Sequence, residues 1–85
     1  MRPWGLEFTR SAERAYAAMP GHDRAALARA LDRLTRNPSS VDLQRVQGQP
    51  GVWRVRWGAW RAFIEFDQGA HMITVTRIAP RKDAY

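Results

Sequence analysis

The stretch Val52-Trp53-Arg54-Val55-Arg56-Trp57-Gly58-Ala59-Trp60-Arg61-Ala62-Phe63-Ile64-Glu65 decides the fold of this chain. Gly58-Ala59 has the length of a two-residue hairpin loop, and glycine suits a first turn position that needs positive φ. That loop sets a register: Trp57 faces Trp60, Arg56 faces Arg61, Val55 faces Ala62 and Arg54 faces Phe63. Side chains alternate between the two faces of a strand. One face therefore carries Trp53, Val55, Trp57, Trp60, Ala62 and Ile64, all apolar. The other carries Arg54, Arg56, Arg61, Phe63 and Glu65. The apolar face has to be covered, so the arginine face is expected to look outward.

What covers it lies upstream. Leu27, Ala30, Leu31 and Leu34 follow the i, i+3, i+4, i+7 spacing of one buried helix face, with Arg29, Arg33 and Arg36 on the opposite side. This predicts a helix from an N-cap at Asp23 to about Arg36, before Asn37-Pro38. Ala12, Ala15, Tyr16 and Met19 predict a preceding helix, capped by Thr9 or Ser11, running to about Ala18 and stopped by Pro20-Gly21. Trp4, Leu6 and Phe8 alternate with Gly5 and Glu7, the period of a half-buried strand. Ser39 to Gly51 reads as a polar connection holding Val41, Leu43 and Val46. Strands are expected at roughly 52–57, 60–67 and 72–78, the last two joined by Asp67-Gln68-Gly69-Ala70. The expected fold is α+β: an N-terminal strand, an antiparallel two-helix hairpin, then a three-strand antiparallel meander, with the helices on one sheet face. Residues 1–85 are expected to form one domain.

Composition narrows the function classes. The 85 residues carry a formal charge of +6, from thirteen arginines and one lysine (Lys82) against eight acids. Guanidinium stays charged and forks onto phosphate oxygens, so the balance favours a nucleic acid or an acidic protein as partner. Coding bias of a GC-rich genome also raises arginine content, so clustering rather than the count has to decide. The absence of cysteine excludes a disulfide scaffold and a thiolate metal site. With no apolar signal stretch or membrane-length run, a soluble cytoplasmic protein is expected, without a membrane partner.

The clustering is on the hairpin. Arginines directly opposite in an antiparallel pair repel each other, and Arg54 adds a third cation two residues along, with Glu65 the one carboxylate placed on that face. Such an arrangement reads as a phosphate-binding surface; the alternative is a solvated strand face. Phe63 among the arginines is either a ring for base stacking or a core residue under the tail. Pro80 ends the last strand and could bring Arg81 and Tyr85 to the rim of the same face. His22 and His71 sit in turns and are expected at the surface. No pair of carboxylates or histidines is spaced for acid–base or metal chemistry.

The run 52–61, an aromatic, two basic residues at alternate positions, then Gly, an aromatic and Arg, resembles the strand-turn-strand signature of the RelE/ParE superfamily of toxins. Thr76-Arg77-Ile78-Ala79-Pro80-Arg81-Lys82-Asp83-Ala84-Tyr85 resembles its closing segment, which ends in an Arg and then a Tyr. With the helical hairpin, the resemblance covers nearly the whole chain. It implies the toxin of a type II toxin–antitoxin pair, with a cognate antitoxin as partner. RelE-like members cut mRNA on the ribosome; ParE-like members share the fold, lack the nuclease residues and inhibit DNA gyrase. The RelE-type catalytic positions map onto Arg54, Arg56, Arg61, Arg81 and Tyr85, which favours an mRNA endoribonuclease, with the gyrase inhibitor as the alternative. Further RNA contacts are expected at Arg45, Phe63, Arg77 and Lys82, and no cofactor or metal is expected. Two departures stand out: Arg54 and Arg56 occupy positions that are often lysine, and Ala79-Pro80-Arg81 replaces Gly-His-Arg. Arginine does not give up its proton, so Tyr85 is the expected proton shuttle for attack by a 2′-hydroxyl. That role requires the arginines to lower its pKa from about 10.

Overall fold

In a computed structural model, which describes residues 2–83, the apolar stripe is buried as its spacing predicts. Leu27 and Leu34 are fully buried, and Leu31 nearly so, in one cluster with Ala12 and Met19 from the preceding helix. Beneath them lie Val55, Ala62, Ile64, Ile73 and Val75 of the sheet. The two helices are α1 (Arg10–Ala18) and α2 (Gly21–Arg36). Thr9 caps α1: its Oγ1 accepts from the Ala12 N–H at 3.2 Å. α2 begins two residues before the expected Asp23 cap, with Pro20 at the N-cap and no side-chain bond there. Asp23 falls instead in the first turn, where a carboxylate faces the positive end of the helix dipole.

The sheet has five strands: β1 (Gly5–Phe8), β2 (Asp42–Arg45), β3 (Val52–Trp57), β4 (Trp60–Asp67) and β5 (Met72–Pro80). Their order is β1-β5-β4-β3-β2, with β1 parallel to β5 and the other pairs antiparallel. The α+β architecture and the meander stand as expected, and β2 is an addition: part of the polar connection is an edge strand. The hairpin has the register read from its loop, with Arg56 opposite Arg61 and Trp57 opposite Trp60. Gly58 has φ 49°, and Ala59 is not among the positive-φ residues, the pattern of a type II′ turn. The three hairpin tryptophans are half-buried against the core rather than fully enclosed.

β5 contains the irregularity that shapes the outer face. Its register against β4 shifts between Phe63 and Ile64: Phe63 pairs with Arg77 and Ile64 with Val75, leaving Thr76 extra. An extra residue moves every later side chain to the other face. Ile73 and Val75 point into the core before the bulge and Ile78 after it, so Arg77 is turned outward beside Phe63. Thr9 braces the bulge, donating its hydroxyl to the Thr76 carbonyl at 3.0 Å. Thr9→Val removes both the cap and this brace at nearly constant volume. It is expected to cost about 1–2 kcal/mol, read as a drop in thermal midpoint of at least about 4 °C.

His22 is exposed as expected. His71 is half-buried: it takes a left-handed backbone at φ 53° and stacks on Trp4 with centroids 4.2 Å apart. Among the described residues no helix is long and apolar enough to cross a membrane.

Candidate functional site

The outer face of the sheet carries its charges in two groups. Glu7 on β1 and Glu65 on β4 flank Thr74, whose hydroxyl donates to Glu7 Oε1 at 3.0 Å. Towards the Gly58-Ala59 turn the same face becomes basic, with Arg54, Arg56, Arg61 and Arg77. The described part of the tail, a 3-10 turn at Arg81–Asp83, folds back at this end: the Arg81 N–H donates to the Ala59 carbonyl at 2.6 Å.

The expected site residues divide into three groups. Arg56, Arg77, Arg81 and Lys82 are exposed, with Arg54 half-buried beside them. Ala59, Pro80, Arg81 and Lys82 line a shallow concavity at the turn. Arg61 and Phe63 form the second group, and both differ from expectation. Arg61 is 2 % exposed, and its Nη1 donates to the Gly58 and Trp60 carbonyls at 3.0 and 2.6 Å. It lies on the outward face by register, with one guanidinium nitrogen held by the carbonyls of the hairpin turn. Phe63 is 6 % exposed, with the Arg77 guanidinium 5.0 Å from its ring centroid, so the ring is covered rather than offered for base stacking. Of the two readings of Phe63, packing under the tail end is the one the geometry supports. The third group stands apart. Arg45 lies on the helix side of the sheet, its guanidinium 5.0 Å from the Trp53 ring centroid, away from the other cations. Tyr85 lies outside the described residues.

β2 supplies partners that the hairpin sequence alone does not reveal. Gln44 sits opposite Arg54 and accepts from its Nη2 at 3.0 Å. Asp42 sits opposite Arg56, with Oδ2 3.6 Å from Nε. Glu65 is therefore not the one carboxylate near the arginines; Asp42 is a second, and it is closer in register. Arg77 is likewise tethered, its Nη2 donating to the Asp83 carbonyl at 2.7 Å. The signal for β2 was present: Val41 and Leu43 alternate with Asp42 and Gln44, in the order that complements Arg56 and Arg54 on an antiparallel neighbour.

This surface gathers several cations at one end, an arrangement that suits an anion. Proton transfer is a different matter, because among the described residues no carboxylate pair or histidine stands at the basic end. No group of three His, Cys, Asp or Glu side chains among the described residues is arranged to hold a metal ion.

The same architecture occurs in solved toxin structures. The RelBE2 toxin–antitoxin complex of Mycobacterium tuberculosis contains a chain 26 % identical to this one, with a TM-score of 0.82 over 95 % of this chain and 94 % of that one. The RelE–RelB complex of Pyrococcus horikoshii matches at 17 % identity and TM-score 0.79, over 96 % and 99 % of the two chains. The intact RelBE complex of E. coli matches at 14 % identity and TM-score 0.78, over 91 % and 95 %. These last two likenesses are of fold alone. No curated protein sequence matches the chain. The sequence profile described as the ParE toxin of the type II toxin–antitoxin system parDE matches residues 6–85, and on that match this chain belongs to the ParE toxin family.

Proposed function

We propose that this toxin acts on messenger RNA, holding the RNA backbone at the basic end of the outer sheet face and cutting it there. The observation that carries the reading is the set of exposed cations, Arg56, Arg77, Arg81 and Lys82, gathered around one hairpin turn with Arg54 at their side. Forked guanidinium groups on neighbouring strands suit the non-bridging oxygens of a phosphodiester. In the reaction a ribose 2′-oxygen attacks the adjacent phosphorus and the 5′-oxygen of the next nucleotide leaves, forming a 2′,3′-cyclic phosphate. Arg54 and Arg56 stabilise the charge that grows on the phosphate oxygens, and Arg81 the leaving oxygen. Arg61 supports them from beneath by fixing the turn. Tyr85 takes the 2′-hydroxyl proton and returns one to the leaving oxygen. So small a chemical set depends on prior positioning of the substrate, which the ribosome would provide in the cytoplasm.

A cognate antitoxin is the expected protein partner, since the solved relatives are toxin–antitoxin complexes. An apolar groove lined by Trp4, Leu6, Phe8, Tyr16 and Leu31 runs beside β1, and Leu6 is 38 % exposed there. It suits an apolar helix, while the +6 charge suits an acidic or neutral segment.

The second reading is inhibition of DNA gyrase without catalysis. It is favoured by the family profile and by the commitment of Arg61 to the turn, which withdraws one expected cation from the surface. Induction in a bacterial host, with transcript 5′-end mapping and a gyrase supercoiling assay in parallel, separates the two. New transcript ends with unaltered supercoiling are expected. Loss of supercoiling without new ends would assign the toxin to gyrase.

A further inference from the structure

We propose that Asp42 is a built-in counter-ion that competes with a bound phosphate for Arg56, and so limits how tightly the basic end of the sheet holds a polyanion. This rests on the reading of that face as a phosphate-binding surface. Asp42 stands directly opposite Arg56 on the edge strand, with Oδ2 3.6 Å from Nε. That separation exceeds the hydrogen-bond range of about 2.7–3.2 Å. The two side chains are 46 % and 62 % exposed. A loose, solvent-facing pair of this kind adds little to folding, so stability does not account for an acid at this place.

The neighbouring pair shows the contrast. Opposite Arg54 the same strand presents a neutral amide, and Gln44 accepts from Arg54 Nη2 at 3.0 Å. A neutral acceptor orients a guanidinium without cancelling its charge. A carboxylate cancels it, and also repels any phosphate that approaches the same guanidinium. Thus β2 orients one arginine and partly neutralises the other. A phosphate that engages Arg56 has to displace Asp42 or bind beside it, and either route reduces its affinity.

The test uses the full chain and a fluorescein-labelled single-stranded RNA oligonucleotide, titrated by anisotropy over a range of salt. Asp42→Asn keeps the shape of the side chain and removes its charge. Binding is expected to tighten about fivefold, the worth in water of one opposite-charge contact at about 4 Å, which a phosphate no longer has to displace from Arg56. The plot of log K against log salt should steepen by about 0.7, because one further cation becomes available to phosphate. Asp42→Glu should bind like the wild type. In an Arg56→Ala background, Asp42→Asn should lose most of its effect, the signature of a coupled pair. If Arg56→Ala weakens RNA binding but Asp42→Asn leaves affinity and salt slope unchanged, the counter-ion role is wrong and the surface reading survives. If Arg56→Ala itself leaves RNA binding unchanged, the surface reading falls and the counter-ion role with it.

Discussion

Arg61→Ala is expected to destabilise the fold by about 2–4 kcal/mol, a lowering of the thermal midpoint by roughly 10 °C or more for a domain of this size. The side chain is 2 % exposed and its Nη1 donates to the Gly58 and Trp60 carbonyls. Truncation leaves those carbonyls without a charged donor and opens space between the turn and Ala79, the residue opposite on β5. Arg61→Lys keeps the charge without the planar fork, so it should recover part of the loss. Arg56→Ala makes the control, because an exposed cation on the same face should cost no more than about 0.5 kcal/mol. Urea unfolding followed by tryptophan fluorescence reads both, since Trp57 and Trp60 flank the turn. An Arg61→Ala chain as stable as Arg56→Ala would mean that Arg61 is the outward, ligand-facing residue its alternation alone indicates.

That contrast marks how far the sequence could be read. Alternation assigns a side chain to a face, and it assigned Arg54, Arg56, Arg61 and Phe63 correctly, because a two-residue loop leaves one register. It does not reveal what lies over the face. Arg77 is turned outward over the Phe63 ring, and Arg61 turns a guanidinium nitrogen onto the hairpin carbonyls. Arg77 is turned by the Thr76 bulge, one extra residue with no composition of its own to announce it. A strict two-residue period through 73, 75 and 77 would send Arg77 into the core. The bulge resolves that conflict.

The helices were legible because their stripes are bounded by Pro20 and Asn37-Pro38, whereas the N-cap of α2 was displaced by three residues, from Asp23 to Pro20. β2 escaped because the strand is four residues long and three of them are polar, so the alternation of Val41 and Leu43 with Asp42 and Gln44 is too short to stand out from a polar connection. Its signature is the match of Asp42 and Gln44 to Arg56 and Arg54, which appears only once the strands are aligned. The site was read as a row of cations with Glu65 as its one carboxylate for the same reason. With β2 in place, two of those arginines have polar neighbours on the edge strand.

Arg56→Ala is expected to reduce mRNA cleavage about a hundredfold or more, because it removes a forked donor from oxygens on which charge develops. It is the informative substitution where Arg61→Ala is not: Arg56 is exposed, so lost activity reports on chemistry rather than on folding. Tyr85→Phe should separate binding from proton transfer. It removes one hydroxyl and no charge, so RNA affinity should stay near that of the wild type while cleavage falls. Arg56→Lys tests the fork alone, and intermediate activity is expected, since a lysine holds a phosphate as a point charge. Each variant is scored by mapped transcript ends after induction, with antitoxin co-purification as the check on fold. Suppose the Arg56→Ala, Tyr85→Phe double variant arrests growth as strongly as the wild type, and neither produces new transcript ends. Then the basic end of the sheet is not a nuclease site, and the supercoiling assay becomes the measure of what this toxin does.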